Sequence, residues 1–447
     1  MEKLAGFDFI ALEFDGDGKA TSTALNTLQQ HVRAAAVTDV VLIAHGFRNS
    51  EQEARGLYEE FFTNFRAHLG RDELKAQLSS RVFAVGGVLW PSKKFDEGPE
   101  VVEGGVQGLN NAGADLQAIR AELVRIRDED TRPAQRPQVD RALLLLDTLE
   151  NSASNQDEFV ALMLDVIDET ESDPTEGLAE VKAQSGAELL NKLGSPIILP
   201  TRRDDDDGSV MSVQDTGGAA GDGKPLFIGG FLKTVAGKVG QFLNMTTWYT
   251  MKNRAGLVGA LGVAPAVRQL KQSHPTLRIH LVGHSLGGRC MAACAKALCV
   301  APKVQPDSLS LLEAAFSHYG LSDNNGHGTP GFFRDVIAQQ IVRGPFISTY
   351  SYQDTVVGTA YAISSRLAGD NVKAIGDKDD QYGGIGRNGT QKTAESTNQP
   401  LREVGGKYDI TLARVNNIDG TGGGIKNHGD VRNPRVTYAF ACAVAMT

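Results

Sequence analysis

The residues of this 447-residue chain that speak most directly of chemistry are Gly283-His284-Ser285-Leu286-Gly287, followed by Gly288. A serine between glycines is the pattern of an activated nucleophile. In a chain with 50 glycines the bare pattern arises by chance, so its setting carries the weight. An apolar strand signal at 279–282 precedes it and a helical run at 289–298 follows it. At such a junction the serine backbone is strained and neighbouring chains pass close by, so flanking glycines remove the Cβ clashes. The turn lifts Oγ above the sheet. The N–H of Leu286, at the start of the helix, points toward an oxyanion forming on a bound carbonyl. The bland alternative is a Gly-rich turn with no chemistry.

A serine hydroxyl needs a base to take its proton and an acid to orient that base. For a nucleophile in this setting the acid and then the base follow along the chain. Only His318, His327 and His428 follow Ser285. Asp354 closes the stretch 346–354, and a carboxylate just past a strand's C-terminal end lies on the ligand-binding edge of a parallel sheet. His428, in Lys426-Asn427-His428-Gly429-Asp430, is the sole histidine after Asp354. Ser285, Asp354 and His428 therefore satisfy order and placement together. Against them stand a turn or helix-cap aspartate and a surface-loop histidine. Asp370, Asp377 and Asp430 are weaker acids, because none directly follows a strand signal. The second oxyanion donor is expected from His45-Gly46-Phe47-Arg48, after the apolar run 40–44, where Gly46 lets the backbone turn the Phe47 N–H toward the site. His45 and His284 read as buried structural histidines.

Other patterns carry less. Gly384-Ile385-Gly386-Arg387-Asn388-Gly389 matches a dinucleotide fingerprint in letters, but no strand signal leads into it and no helix signal leaves it. Cys290, Cys294 and Cys299 suit small core positions along a helix rather than a zinc or disulfide pattern. The acidic run Asp204 to Asp207, within 201–224, lacks the spaced ligands of a calcium loop and reads as a solvated linker. Net charge is −9 with no Lys/Arg-rich face, which argues against nucleic acid. No segment has the length and apolarity of a signal peptide or a membrane span, so a soluble, cytoplasmic protein is expected.

The elements that must position these residues alternate. Strand signals occur at 7–14, 40–44, 82–90 (halted by Pro91), 279–282, 308–316, 345–352 and 408–415. Helix signals occur at 22–36, from the capping box Ser50–Glu53 to about 69, and at 433–446 with Pro434 in its first turn. Alternation of this kind predicts an α/β fold, a mostly parallel central sheet with helices on both faces. Residues 97–200 look helical, with Leu116, Ile119, Leu123 and Ile126 on one stripe, and read as an inserted helical cap that roofs the site. Residues 227–243 are amphipathic; packing against cap or core is favoured over a membrane surface. Residues 369–400 read as a long surface loop. The expected organisation is a core in two parts, 1–96 and 245–447, around a cap at 97–244.

His45-Gly46-Phe47, Leu89-Trp90-Pro91-Ser92 and Gly283-His284-Ser285-Leu286-Gly287-Gly288, in that order, resemble the α/β-hydrolase superfamily. Within it they are similar to a group of bacterial serine esterase/lipase-like proteins. The resemblance covers about 5–95 and 245–445; the insertion between has no counterpart in it. It implies an α/β-hydrolase fold, Ser285 as nucleophile, Asp354 as acid, His428 as base and Phe47 and Leu286 as oxyanion donors. It further implies a small ester or lipid substrate, with no metal or organic cofactor. A lipase or phospholipase working at a lipid surface and a non-catalytic hydrolase-like interaction module are the rival expectations.

Overall fold

An apolar run such as 40–44 buries both its faces only inside a sheet covered above and below. The computed structural model, which describes residues 1–92, 116–194, 197–199, 226–228, 234–369 and 377–447, places it there. Its strands are β1 (Glu2–Leu4), β2 (Phe7–Glu13), β3 (Asp39–Ala44), β4 (Phe83–Leu89), β5 (Ile197–Leu199), β6 (Leu226–Ile228), β7 (Arg278–His284), β8 (Ser308–Leu312), β9 (Phe346–Tyr350), β10 (Ser396–Pro400) and β11 (Val415–Asp419). Nine of them form one sheet in the order β1-β2-β4-β3-β7-β8-β9-β11-β10. Every neighbouring pair in it is parallel except β1 with β2. β3, β4 and β8 are buried at every position, as strands covered on both faces must be.

Contacts divide the chain into two compact units. The first, Met1–Gly104, Arg254–Val357 and Gly384–Thr447, holds the nine-stranded sheet. On one face, helices Glu51–His68 and Pro434–Ala445 lay an aromatic layer against Val41, Ile43 and Val85. Phe65 stands 5.1 Å from Phe440 and 5.4 Å from Phe83, centroid to centroid. Burying each such ring contributes about 1.5–3 kcal/mol. Helix Glu51–His68 starts where the sequence says, with Ser50 Oγ accepting from Glu53 N–H at 3.2 Å and Glu53 Oε2 accepting from Ser50 N–H at 2.7 Å. Helix Leu286–Leu298 buries Cys290 and Cys294; all four cysteines are free.

The second unit, Gly105–Asn253 and Gly358–Gly383, is mostly helical. Helices Leu116–Arg125, Arg136–Leu145, Ala153–Asp165 and Gly186–Leu193 enclose a core of Leu123, Val139, Phe159, Met163, Leu189 and Phe242. β5 and β6 pair as an antiparallel ribbon.

Several elements depart from expectation. The strand read at 308–316 stops at Leu312, because Glu313 takes a left-handed φ of 43°. The strand read at 408–415 begins only at Val415; Ile410 packs on the neighbouring apolar cluster while Leu412 is exposed, so the apolar letters there mark an irregular cover. The amphipathic stretch 227–243 is split between β6 and helix Val235–Leu257. The stretch 369–400 contains the one-turn helix Ile385–Asn388 and β10, and residues 383–390 are buried. The second unit reaches Asn253 and takes in residues 358–383, beyond the drawn limits of the insertion. The acidic run 204–207 lies outside the described residues. Among the described residues no helix is long and apolar enough to cross a membrane.

Candidate active site

Parallel neighbours share a direction, so β3, β7, β8, β9 and β11 end on one edge of the sheet. Ser285 follows β7 directly and has φ 57° and ψ −125°, a conformation that costs a non-glycine residue on the order of 1–3 kcal/mol. Backbone bonds hold it there. Its N–H donates to Leu312 O at 3.1 Å, and its carbonyl accepts from Gly288 and Ala315 N–H, each at 2.9 Å. A Cβ on Gly287 would stand 2.1 Å from the Ala44 carbonyl oxygen, and one on Gly46 would stand 2.7 Å from Ser285 Cβ. The chains touch at these points, and only glycine fits. Leu286 opens helix Leu286–Leu298, so its N–H has no acceptor within the helix.

The strand end Leu89-Trp90-Pro91-Ser92 braces the loop that carries Phe47. Trp90 Nε1 donates to His45 O at 3.1 Å, Arg48 N–H to Ser92 O at 2.9 Å, and Asn49 Nδ2 to Gly46 O at 3.1 Å. The His45 ring stacks on Trp90 at 5.5 Å. Burial pushes its pKa down to about 4, so it stays neutral and structural.

Asp354 lies a turn beyond β9 and His428 in the loop after β11. His428 Nδ1 is 2.8 Å from Asp354 Oδ2. The other carboxylate oxygen accepts from Val357 N–H at 2.9 Å and caps helix Thr355–Ala368, so the helix-cap and imidazole-partner readings of Asp354 hold at once. Asp354 is fully buried, while the His428 side chain keeps 11% exposure. Burial alone would favour the neutral imidazole, but the Asp354 carboxylate outweighs it and holds the His428 pKa up at about 10. His284 links Ser285 and His428: it precedes Ser285, its Nε2 lies 2.8 Å from the His428 carbonyl, and the two rings are 4.5 Å apart. Burial keeps His284 neutral, so Nε2–H is the donor to that carbonyl. The loops that carry Asp354 and His428 are tied where Ser351 Oγ donates to Ile425 O at 2.8 Å and Tyr352 N–H to Thr421 Oγ1 at 3.0 Å.

Sequence reasoning missed two residues. Glu313, buried at the end of β8, brings Oε2 to 3.7 Å from His428 Nδ1. It was hidden because the strand was read through it; ending that strand at Leu312 would have exposed a second carboxyl at a strand end. Arg387 lies inside the Gly384–Gly389 run dismissed as a false dinucleotide pattern. That run does open a one-turn helix, and its arginine holds the Asp354 turn: Nη1 donates to Tyr352 O at 2.6 Å and to Asp354 O at 3.2 Å. Of the weaker acids, Asp430 binds Lys426 N–H within the His428 loop at 2.7 Å, Asp377 binds the next N–H, and Asp370 lies outside the described residues. His318 is buried against Asn388 and His327 is exposed.

His428 Nδ1 and one oxygen each of Asp354 and Glu313 lie within 4.8 Å of one another, the one such grouping among the described residues. Nδ1 is engaged in a 2.8 Å hydrogen bond to Asp354, closer than the roughly 3.3 Å between two ligands on one tetrahedral zinc. The set is arranged for proton chemistry. A second serine–histidine–aspartate set lies at the opposite edge: Ser308 Oγ is 2.8 Å from His280 Nδ1, and His280 Nε2 is 2.9 Å from Asp39 Oδ1. All three residues are wholly buried, so that set fastens strands and meets no substrate.

No family model, curated protein or solved structure matches this chain.

Proposed function

We propose that this chain is a serine hydrolase of the α/β-hydrolase class that cleaves carboxylic esters through an acyl-enzyme. The observation that carries the reading is the 2.8 Å contact of His428 Nδ1 with Asp354, beside a serine held at positive φ on the same sheet edge. Asp354 fixes the Nδ1–H tautomer, which leaves Nε2 to accept the Ser285 proton. Oγ then attacks the ester carbonyl, and the Leu286 and Phe47 N–H groups receive the oxyanion. The imidazolium returns its proton to the leaving alkoxide. Water repeats the sequence and releases the acid. No hydrogen bond among the described residues joins Ser285 Oγ to His428. The reading requires that contact to form as substrate binds, a tightening common to such sites. Neither a metal nor an organic cofactor has a step in this chemistry.

The test is fluorophosphonate labelling with turnover of short p-nitrophenyl esters. Wild type is expected to label and turn over, and Ser285→Ala to do neither, with its unfolding midpoint unmoved. Full activity in Ser285→Ala sinks the assignment, and an unlabelled wild type favours a non-catalytic module. A panel of acyl-chain lengths, with and without a lipid interface, separates an esterase from a lipase.

A further inference from the structure

The imidazole of His428 faces two carboxyl groups, and the triad chemistry above uses one. Adjacent parallel strands deliver them: β8 leads directly to Glu313 and β9, a turn further on, to Asp354. Glu313 is wholly buried, and neither of its side-chain oxygens has a hydrogen-bond partner. Its Oε2 stands 3.7 Å from the same Nδ1 that Asp354 holds at 2.8 Å. Its backbone is in the left-handed region, φ 43°, and is pinned there by Glu313 N–H donating to Thr349 O at 3.1 Å. A carboxyl buried without a hydrogen bond and a strained backbone are both unfavourable.

Two carboxyls this close do not both ionise; they hold one proton between them. Burial, reinforced by the Asp354 charge, lifts the Glu313 carboxyl well above its ordinary range, so Glu313 is the member that keeps the proton. Asp354 then bears the charge and the short hydrogen bond. Without the Asp354 charge the repulsion that holds the proton on Glu313 is gone, and Glu313, though still buried, would face an imidazolium with no competing anion and would ionise toward Nδ1.

We propose that Glu313 is a second, stand-by acid for His428, positioned to orient the imidazole in place of Asp354. The proposal rests on the reading of Ser285 as nucleophile and His428 as base. The one covalent change is at a proton: when Asp354 is neutral, Glu313 gives its proton to water, and the carboxylate left behind accepts from His428 Nδ1–H.

The experiment measures the rate of fluorophosphonate labelling of the full chain against pH for wild type, Ser285→Ala, Glu313→Gln, Asp354→Asn and the double variant, with unfolding midpoints for each. Asp354→Asn is expected to stay within about 100-fold of wild type, and the double variant to fall at least a further 100-fold, to the Ser285→Ala background. Glu313→Gln exchanges a neutral carboxyl for a neutral amide and is expected to stay within about fivefold of wild type with little change in its pH of half-maximal rate. In Asp354→Asn that pH is expected to fall, because an ionised Glu313 at 3.7 Å supports the imidazolium less than Asp354 at 2.8 Å, and in the double variant to fall further. A merely structural glutamate would leave the single and double Asp354 variants equal in rate and in pH. That equality, while Ser285 still labels, overturns the proposal. Asp354→Ser with and without Glu313→Gln makes the same comparison if Asp354→Asn does not fold. Equal labelling of wild type and Ser285→Ala overturns the nucleophile reading and this proposal with it.

Discussion

Single side chains set the chemistry. The His428 pKa stands near 10, so the neutral imidazole that accepts a proton grows in as the pH rises through the alkaline range. The labelling rate of Ser285 is expected to climb across that range; a plateau already reached at pH 7 would contradict it. The same shift makes a stability statement with a definite sign. The folded state binds this proton more tightly than the unfolded chain, whose histidine has the ordinary value of 6.5. The ion pair's contribution is therefore complete below pH 6.5 and is lost as the pH rises through about 10. Thermal melts of His428→Gln should show their largest deficit below pH 6.5 and converge on wild type toward pH 10. Gly46→Ala tests a contact instead of a charge. Its new methyl would meet Ser285 Cβ at 2.7 Å, so labelling should drop 100-fold or more, with a loss of stability of about 1–3 kcal/mol by denaturant titration.

Elements decide whether those side chains meet. Much of the candidate site was legible because each part sits at a strand end: the glycines around Ser285, the apolar run before His45 and the order serine, aspartate, histidine. Glu313 escaped because the run 308–316 is apolar enough to read as one strand, and only the left-handed turn at Glu313 ends it. Arg387 escaped because a guanidinium donating to distant carbonyls leaves no periodic signal. Arg387 also lies over the Tyr352 ring at 4.0 Å, so it fastens the turn from β9 to Asp354 from two sides. Arg387→Leu should leave buried carbonyls unpaired, cost about 1–3 kcal/mol in urea and slow labelling about tenfold. An unchanged labelling rate would show that the Asp354 turn holds its place without the arginine.

The whole molecule divides into a sheet unit and a helical unit, and the second contains its own charged knot. Lys252 and Glu176 are an ion pair, both about 3% exposed, and Tyr361 OH reaches each at 3.0 Å. The Lys252 ammonium also lies 4.6 Å from the Tyr361 ring and 5.3 Å from that of Trp248. Breaking a buried pair from one side strands a charge and typically costs about 3–5 kcal/mol. Glu176→Gln should therefore lower the denaturant midpoint reported by Trp248 fluorescence, read in a Trp90→Phe background so that one tryptophan remains. An unfolding free energy within about 1 kcal/mol of the Trp90→Phe parent, at the sensitivity usual for such extrapolations (~±10–15%), would remove the pair from any stabilising role.

By itself the sequence determined the parts that depend on neighbours along the chain. Apolar runs become covered strands, Ser50 and Glu53 start a helix, and glycines mark where the backbone must turn or touch, because burial, capping and steric exclusion act over a few residues. Only the tertiary structure decided the rest. It brought Asp354 to 2.8 Å from His428, set Glu313 beside them, and distinguished the set whose histidine keeps 11% exposure from the wholly buried one at the other sheet edge. Distances between residues far apart in the chain, and the burial that raises or lowers a proton's hold, come from strand order and packing. No short window of letters encodes those.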